Sequence, residues 1–172
     1  MATTYVLLNS ATVSNSTTTS VSLSSISQSY TDLVLRASVR NDTGYAFWVD
    51  GITVGPSGSY TRISGNGSSP ASSRNTGSNL FDQSAVAQSA TANTFSVVEA
   101  YIPNYSLTTS TKPWFAFSGV SSNSGTADNS FVNAFGRLTT ASTAISTINI
   151  SPWNSSYIAL GSSFYLYGIK NS

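Results

Sequence analysis

Asp32-Leu-Val-Leu-Arg-Ala-Ser-Val-Arg40 is the stretch that decides the fold. Leu33, Leu35, Ala37 and Val39 fall on one side of an extended chain, while Val34, Arg36, Ser38 and Arg40 fall on the other. That is the period-two pattern of a β-strand with one face in the core and one wet face. Upstream, Tyr5–Val13 and Thr18–Ile26 flank Ser-Asn-Ser-Thr and read as a hairpin or two neighbouring strands. Downstream, Asn-Asp-Thr-Gly at 41–44 and Asp50-Gly51 are turn signals around a strand at Tyr45–Val49. Further strands are expected at Tyr60–Ser64, Thr94–Ile102, Pro113–Ser118, Phe131–Leu138, Ala144–Ile150 and Phe164–Ile169. A helical period is at most a turn or two, within Leu80–Gln88.

About ten short strands separated by Gly, Ser, Asn and Pro clusters predict an all-β chain of two packed antiparallel sheets, a jelly-roll-like sandwich. Residues 1–172 are expected to form this single domain, with no internal repeat and no linker. Gly65–Asn79 and Gly119–Ser130 interrupt the rhythm and read as long loops. The first, rich in Ser and Gly, is the expected contact element or exposed tip, with Arg74 and Asn75 as its candidate contact residues.

The composition restricts function. A third of the chain is Ser or Thr, His and Cys are absent, and charged residues are 8% of the total. Depletion of the side chains that move protons, attack electrophiles and bind metals shifts the expectation from enzyme to structural or binding protein, with no cofactor. Net charge is +1 and the seven basic residues form no run, so nucleic acid is not an expected partner. No apolar segment suits a signal peptide or membrane span, so no membrane partner is expected and synthesis is placed in the cytoplasm. A surface wetted by hydroxyls and amides makes contacts that salt barely screens.

Six carboxylates are present: Asp32, Asp42, Asp50, Asp82, Glu99 and Asp128. Asp32, Asp42, Asp50 and Asp128 sit where turns or strand starts are expected, and turn formation accounts for them. Glu99 would share a face with Phe95, Val97 and Tyr101, either facing outward at an edge or paired with a buried Arg. Serine nucleophiles lack a histidine base, and Lys112 and Lys170 do not stand in Ser-x-x-Lys spacing. A calcium loop from Asp128, Asn123 and Asn129 does not match a known spacing. Six Asn-x-Ser/Thr sequons are what so much Ser and Thr gives by chance.

Aromatic residues give the strongest binding signal: three Trp, nine Tyr and eight Phe. Flat rings stack on sugars or anchor protein interfaces, so Trp48, Trp114 and Trp153 are candidate contact residues, with Trp153 in Ser-Pro-Trp-Asn-Ser the best exposed one. Phe47, Phe115 and Phe117 alternate with residues of the opposite face and are expected in the core.

At Gln28-Ser-Tyr-Thr-Asp-Leu-Val-Leu-Arg-Ala-Ser-Val-Arg40 and Gly161-Ser-Ser-Phe-Tyr-Leu-Tyr-Gly-Ile-Lys170 the chain resembles small virion surface proteins of tailed bacteriophages, above all those of marine and cyanobacterial hosts. The resemblance covers the first 40 residues and about the last 15, and extends to capsid decorations, head fibres and tail-fibre modules alike. It implies a structural protein carried on the virion after synthesis in the host cytoplasm and brings no catalytic residues. The implied partners are the major capsid protein or other virion proteins and further copies of the chain. Folding signals that begin at Tyr5 and end at Ile169 favour a one-domain capsid decoration or cement protein over a tail-fibre tip with a shaft. The alternative is a receptor- or carbohydrate-binding module of a tail fibre, with a host surface glycan as ligand.

Overall fold

Alternation of β-branched and aromatic residues with small polar ones sets the strands that dominate the described residues. A computed structural model of the protein describes residues 5–42, 47–50, 59–65, 69–76, 79–81, 90–121, 130–138, 142–152 and 155–170. The described residues form twelve strands and no α-helix: β1 (Tyr5–Thr12), β2 (Val21–Leu23), β3 (Asp32–Val39), β4 (Phe47–Asp50), β5 (Ser59–Gly65) and β6 (Pro70–Thr76), then β7 (Asn79–Phe81), β8 (Ser96–Ile102), β9 (Pro113–Ser121), β10 (Ser130–Leu138), β11 (Ile148–Pro152) and β12 (Ser163–Ile169).

They divide eight and four. The large sheet runs β1-β12-β3-β8-β9-β10-β5-β6 and the small one β2-β11-β4-β7, with every pairing antiparallel. The all-β, two-sheet expectation holds. β1 and β2 lie in different sheets, so the Ser-Asn-Ser-Thr turn joins layers and closes no hairpin.

One core fills the space between the sheets. Leu33, Leu35, Ala37 and Val39 of β3 point into it with Val98, Ala100 and Ile102 of β8 and Phe164 and Leu166 of β12. Val21, Leu23, Ile148 and Ile150 come from the small sheet, and all belong to a single buried cluster. The cluster is what holds two layers together, since each sheet removes the apolar face of the other from water.

Buried polar side chains fasten the loops. The Arg40 guanidinium donates to the carbonyls of Ala90, Thr91 and Thr94 and so closes the segment ahead of β8 against the end of β3. The Lys112 ammonium is buried and donates to the carbonyls of Leu107, Ser110 and Ser142, joining the β8–β9 connection to the segment before β11. Burial lowers its pKa from the usual lysine value. The Ser162 hydroxyl accepts from the Arg40 N–H and donates to its carbonyl, across 122 residues of chain.

Two expectations are corrected here. Gly65–Asn79 is not a long loop. Residues 70–76 form β6, which pairs residue for residue with β5 from Ser59↔Thr76 to Gly65↔Pro70, and Arg74 and Asn75 are strand residues opposite Thr61 and Tyr60. A strand at the end of a sheet, with Pro70, Ala71, Ser72, Ser73 and Arg74 all exposed, needs no apolar alternation; backbone hydrogen bonds to β5 hold it. The helical turn considered for Leu80–Gln88 is replaced at its start by β7; residues 82–89 lie outside the described residues, as do 122–129 of the second expected loop.

Candidate functional site: the outer face of the large sheet

Core-facing parity on β3, β8, β9 and β12 sends the alternate residues to the far side of the large sheet, which no described element covers. Most of those residues are apolar. On β9, Trp114, Ala116 and Ser118 are buried, so Phe115 and Phe117 point outward and are 55% and 60% exposed. The neighbouring strands add Val97 on β8 and Ile63 on β5, 64% and 61% exposed, with Tyr101 on β8 and Tyr165 on β12 also open to solvent. Phe115 and Phe117 are therefore not core residues, contrary to expectation. The run Pro-Trp-Phe-Ala-Phe offers apolar side chains to both faces, and it is Trp114 and Ala116 that turn to the core.

The strand registers lay these residues in rows. One row reads Tyr165–Arg36–Glu99–Phe117–Ala134–Ile63 across β12, β3, β8, β9, β10 and β5. The next reads Leu7–Tyr167–Val34–Tyr101–Phe115–Gly136 across β1 to β10. Cross-strand neighbours stand about 5 Å apart, so the rings form a continuous surface. Val34, between Tyr167 and Tyr101, is buried even though it lies on this outer face. The Tyr5 and Tyr167 rings meet edge to face at 6.4 Å, extending the surface to the β1 edge.

Among the described residues, the polar groups at the centre of the face are engaged. Arg36 Nε and Glu99 Oε2 form an ion pair at 2.7 Å, and the Arg36 guanidinium also lies 6.0 Å from the centre of the Tyr167 ring. Glu99 thus faces outward, but in the middle of the sheet and with a half-exposed Arg as its partner. The Tyr101 hydroxyl donates to Asp32 Oδ2 at 2.6 Å, and Asp32 Oδ1 accepts the Asn104 N–H at 2.9 Å. That hydrogen bond, with burial and the Asp32 charge behind it, pushes the Tyr101 pKa up to about 12. Asp42 Oδ1 accepts the Tyr157 N–H at 2.9 Å, so it anchors a distant strand connection in addition to its place after β3.

The expected contact residues fare differently. Trp114 is 2% exposed and packs in the core between the sheets, so it offers no surface to a partner. Trp48 stands in β4 of the small sheet, paired with Ser151 and Asn79. Trp153 lies outside the described residues, as do Asn123, Asp128 and Asn129. Arg74 is exposed on the edge strand β6 and Asn75 follows it there. The contiguous face is hidden in the sequence because Phe115 and Phe117 stand in a run that is apolar on both sides, and because only the registers of β12, β3, β8 and β9 bring Tyr165, Val34, Tyr101 and the two Phe together. Among the described residues no group of three or more His, Cys, Asp or Glu gathers at one place. No protein-family model, curated protein or solved structure matches this chain.

Proposed function

We propose that the chain is a non-enzymatic structural protein of a tailed-bacteriophage particle, decorating or cementing the outside of the capsid. The observation that carries the assembly role is the outer face of the large sheet. An apolar surface of this extent, built from Phe115, Phe117, Val97 and Ile63 around a single ion pair, is what a protein interface buries. Placing the chain on a virion rests on its resemblance to phage surface proteins at residues 28–40 and 161–170.

The chemistry of the face favours protein over sugar. A glycan site sets a ring beside several free hydrogen-bonding groups, whereas here Arg36 and Glu99 hold each other and the Tyr101 hydroxyl is given to Asp32. Phe115 and Phe117 have no polar handle at all. Burying them against another protein removes apolar area from water at about 25 cal/mol per Å2 and requires nothing of the partner except a matching apolar surface.

Co-sedimentation of the purified chain with capsids lacking it tests the reading. Saturable binding that survives high salt and is lost in Phe115→Ser/Phe117→Ser is the expected result. A chain that ignores capsids but adsorbs to host cells, or binds a surface glycan on an array, would replace capsid decoration by the tail-fibre receptor-binding role.

A further inference from the structure

Two properties of the outer face select its occupant. The first is charge. Near the middle of the face Arg36 and Glu99 stand side by side, each about half exposed, with Tyr165 beyond the Arg and Phe117 beyond the Glu. A doublet of zero net charge gives no preference for an acidic or a basic partner. It is, however, its own complement: turned over by a two-fold axis lying in the plane of contact, the guanidinium end of one doublet meets the carboxylate end of the other.

The second property is size. With a full aromatic side chain taken as ~200 Å2 and the smaller residues in proportion, the exposed parts of Phe115, Phe117, Val97, Leu7, Tyr101 and Tyr165 together with the ion pair come to roughly 700 Å2. A standard stable interface buries about 800 Å2 on each partner. The face is thus about as large as one half of a dimer contact, and two sheets stacked about 10 Å apart place side chains of this length in interdigitating contact.

We propose that a second copy of this chain covers the outer face, forming an isologous dimer in which the two Arg36–Glu99 doublets lie head to tail across the two-fold axis. The inference rests on the assembly reading above and adds the partner. The dimer hides the apolar face of each copy, so the particle engages a two-copy unit through its other surfaces, and Phe115→Ser/Phe117→Ser weakens capsid binding by splitting that unit.

Light scattering on the full chain after size exclusion is the test. The wild-type chain is expected at twice its 18.0 kDa mass. Arg36→Glu presents two carboxylates on the face and Glu99→Arg two guanidiniums; each alone opposes like charges and is expected to elute as a monomer, with self-affinity lowered at least tenfold. Mixed in equal amounts, the two variants are expected to restore a species of dimer mass, which happens only if the copies meet at this doublet. Phe117→Ser gives an independent second variant, expected to be monomeric with an unchanged far-ultraviolet circular dichroism spectrum. A wild-type monomer at all concentrations, dimers in both charge variants, or a mixture that stays monomeric while both variants are folded would overturn the proposal. Its failure is separable from that of the assembly reading. A monomer that still binds capsids through Phe115 and Phe117 removes the dimer alone, and a dimer that never binds capsids removes the assembly role alone.

Discussion

Alanine substitution at two nearby positions of β9 measures which face of the large sheet is the core. Trp114 is 2% exposed and Phe117 is 60% exposed, although only two residues separate them. Trp114→Ala leaves a cavity between the sheets, and such truncations cost about 3–5 kcal/mol. Phe117 already has more than half its surface in water. Of its ~200 Å2, about 80 Å2 is covered, worth at most about 2 kcal/mol at ~25 cal/mol per Å2. Alanine keeps the backbone and Cβ share of that area, so we expect about 1 kcal/mol for Phe117→Ala. Urea unfolding followed by tryptophan fluorescence and far-ultraviolet circular dichroism, at concentrations low enough to keep every variant monomeric, reads the difference. With a slope of about 2 kcal/mol/M, Trp114→Ala moves the midpoint by about 2 M and Phe117→Ala by about 0.5 M. Equal shifts, or a larger one for Phe117, would mean that β9 presents the opposite face to the core, and the exposed aromatic surface would no longer exist.

Gly168→Ala is expected to destabilise the fold by about 1–3 kcal/mol, because a Cβ there would lie 2.6 Å from Tyr30 Cγ; in a Tyr30→Ala background, which removes that atom, the same substitution should cost less in thermal melts. Lys112→Met leaves three carbonyls without the ammonium they accept from, at an expected cost of about 2 kcal/mol by urea titration. Burial lowers the pKa of Lys112 in the folded chain, so the unfolded chain binds the extra proton between the two values and this residue's contribution to stability rises with pH there; the Met variant should lack that rise. Tyr101 behaves in the opposite sense: its pKa rises from 10.0 to about 12 on folding, so its contribution is complete below pH 10 and is lost as pH climbs toward 12, a fall that Tyr101→Phe should abolish in alkaline unfolding curves.

The strands that pack on one side only were legible in the sequence. Asp32–Arg40 shows one apolar and one largely polar side, and β3 lies there with the expected parity. Glu99 was also placed correctly among Val97 and Tyr101, though not its partner, because Arg36 is 63 residues away and only the β3–β8 register brings them together. β9 was harder. Its segment is apolar at successive positions, and such a run does not tell which side is buried; the structure turns Trp114 and Ala116 inward. β6 was unreadable for a different reason. Pattern reports burial, and Ser72, Ser73 and Arg74 are held by backbone pairing with β5 while remaining exposed, so nothing in their side chains marks a strand. The candidate site inherited both problems, since its most exposed members lie on β9 and β5.

β12 lies between β1 and β3, paired with both. During synthesis, then, β1 has no neighbour in the large sheet and the β3 edge stays open until β12 has left the ribosome. Contacts between segments so far apart in the chain close slowly, which places this fold among the late-completing β-proteins. Nascent chains stalled before residue 163 should therefore expose the Leu33–Val39 edge to chaperones or to one another, and emergence of β12 becomes the step that commits the large sheet to its native order.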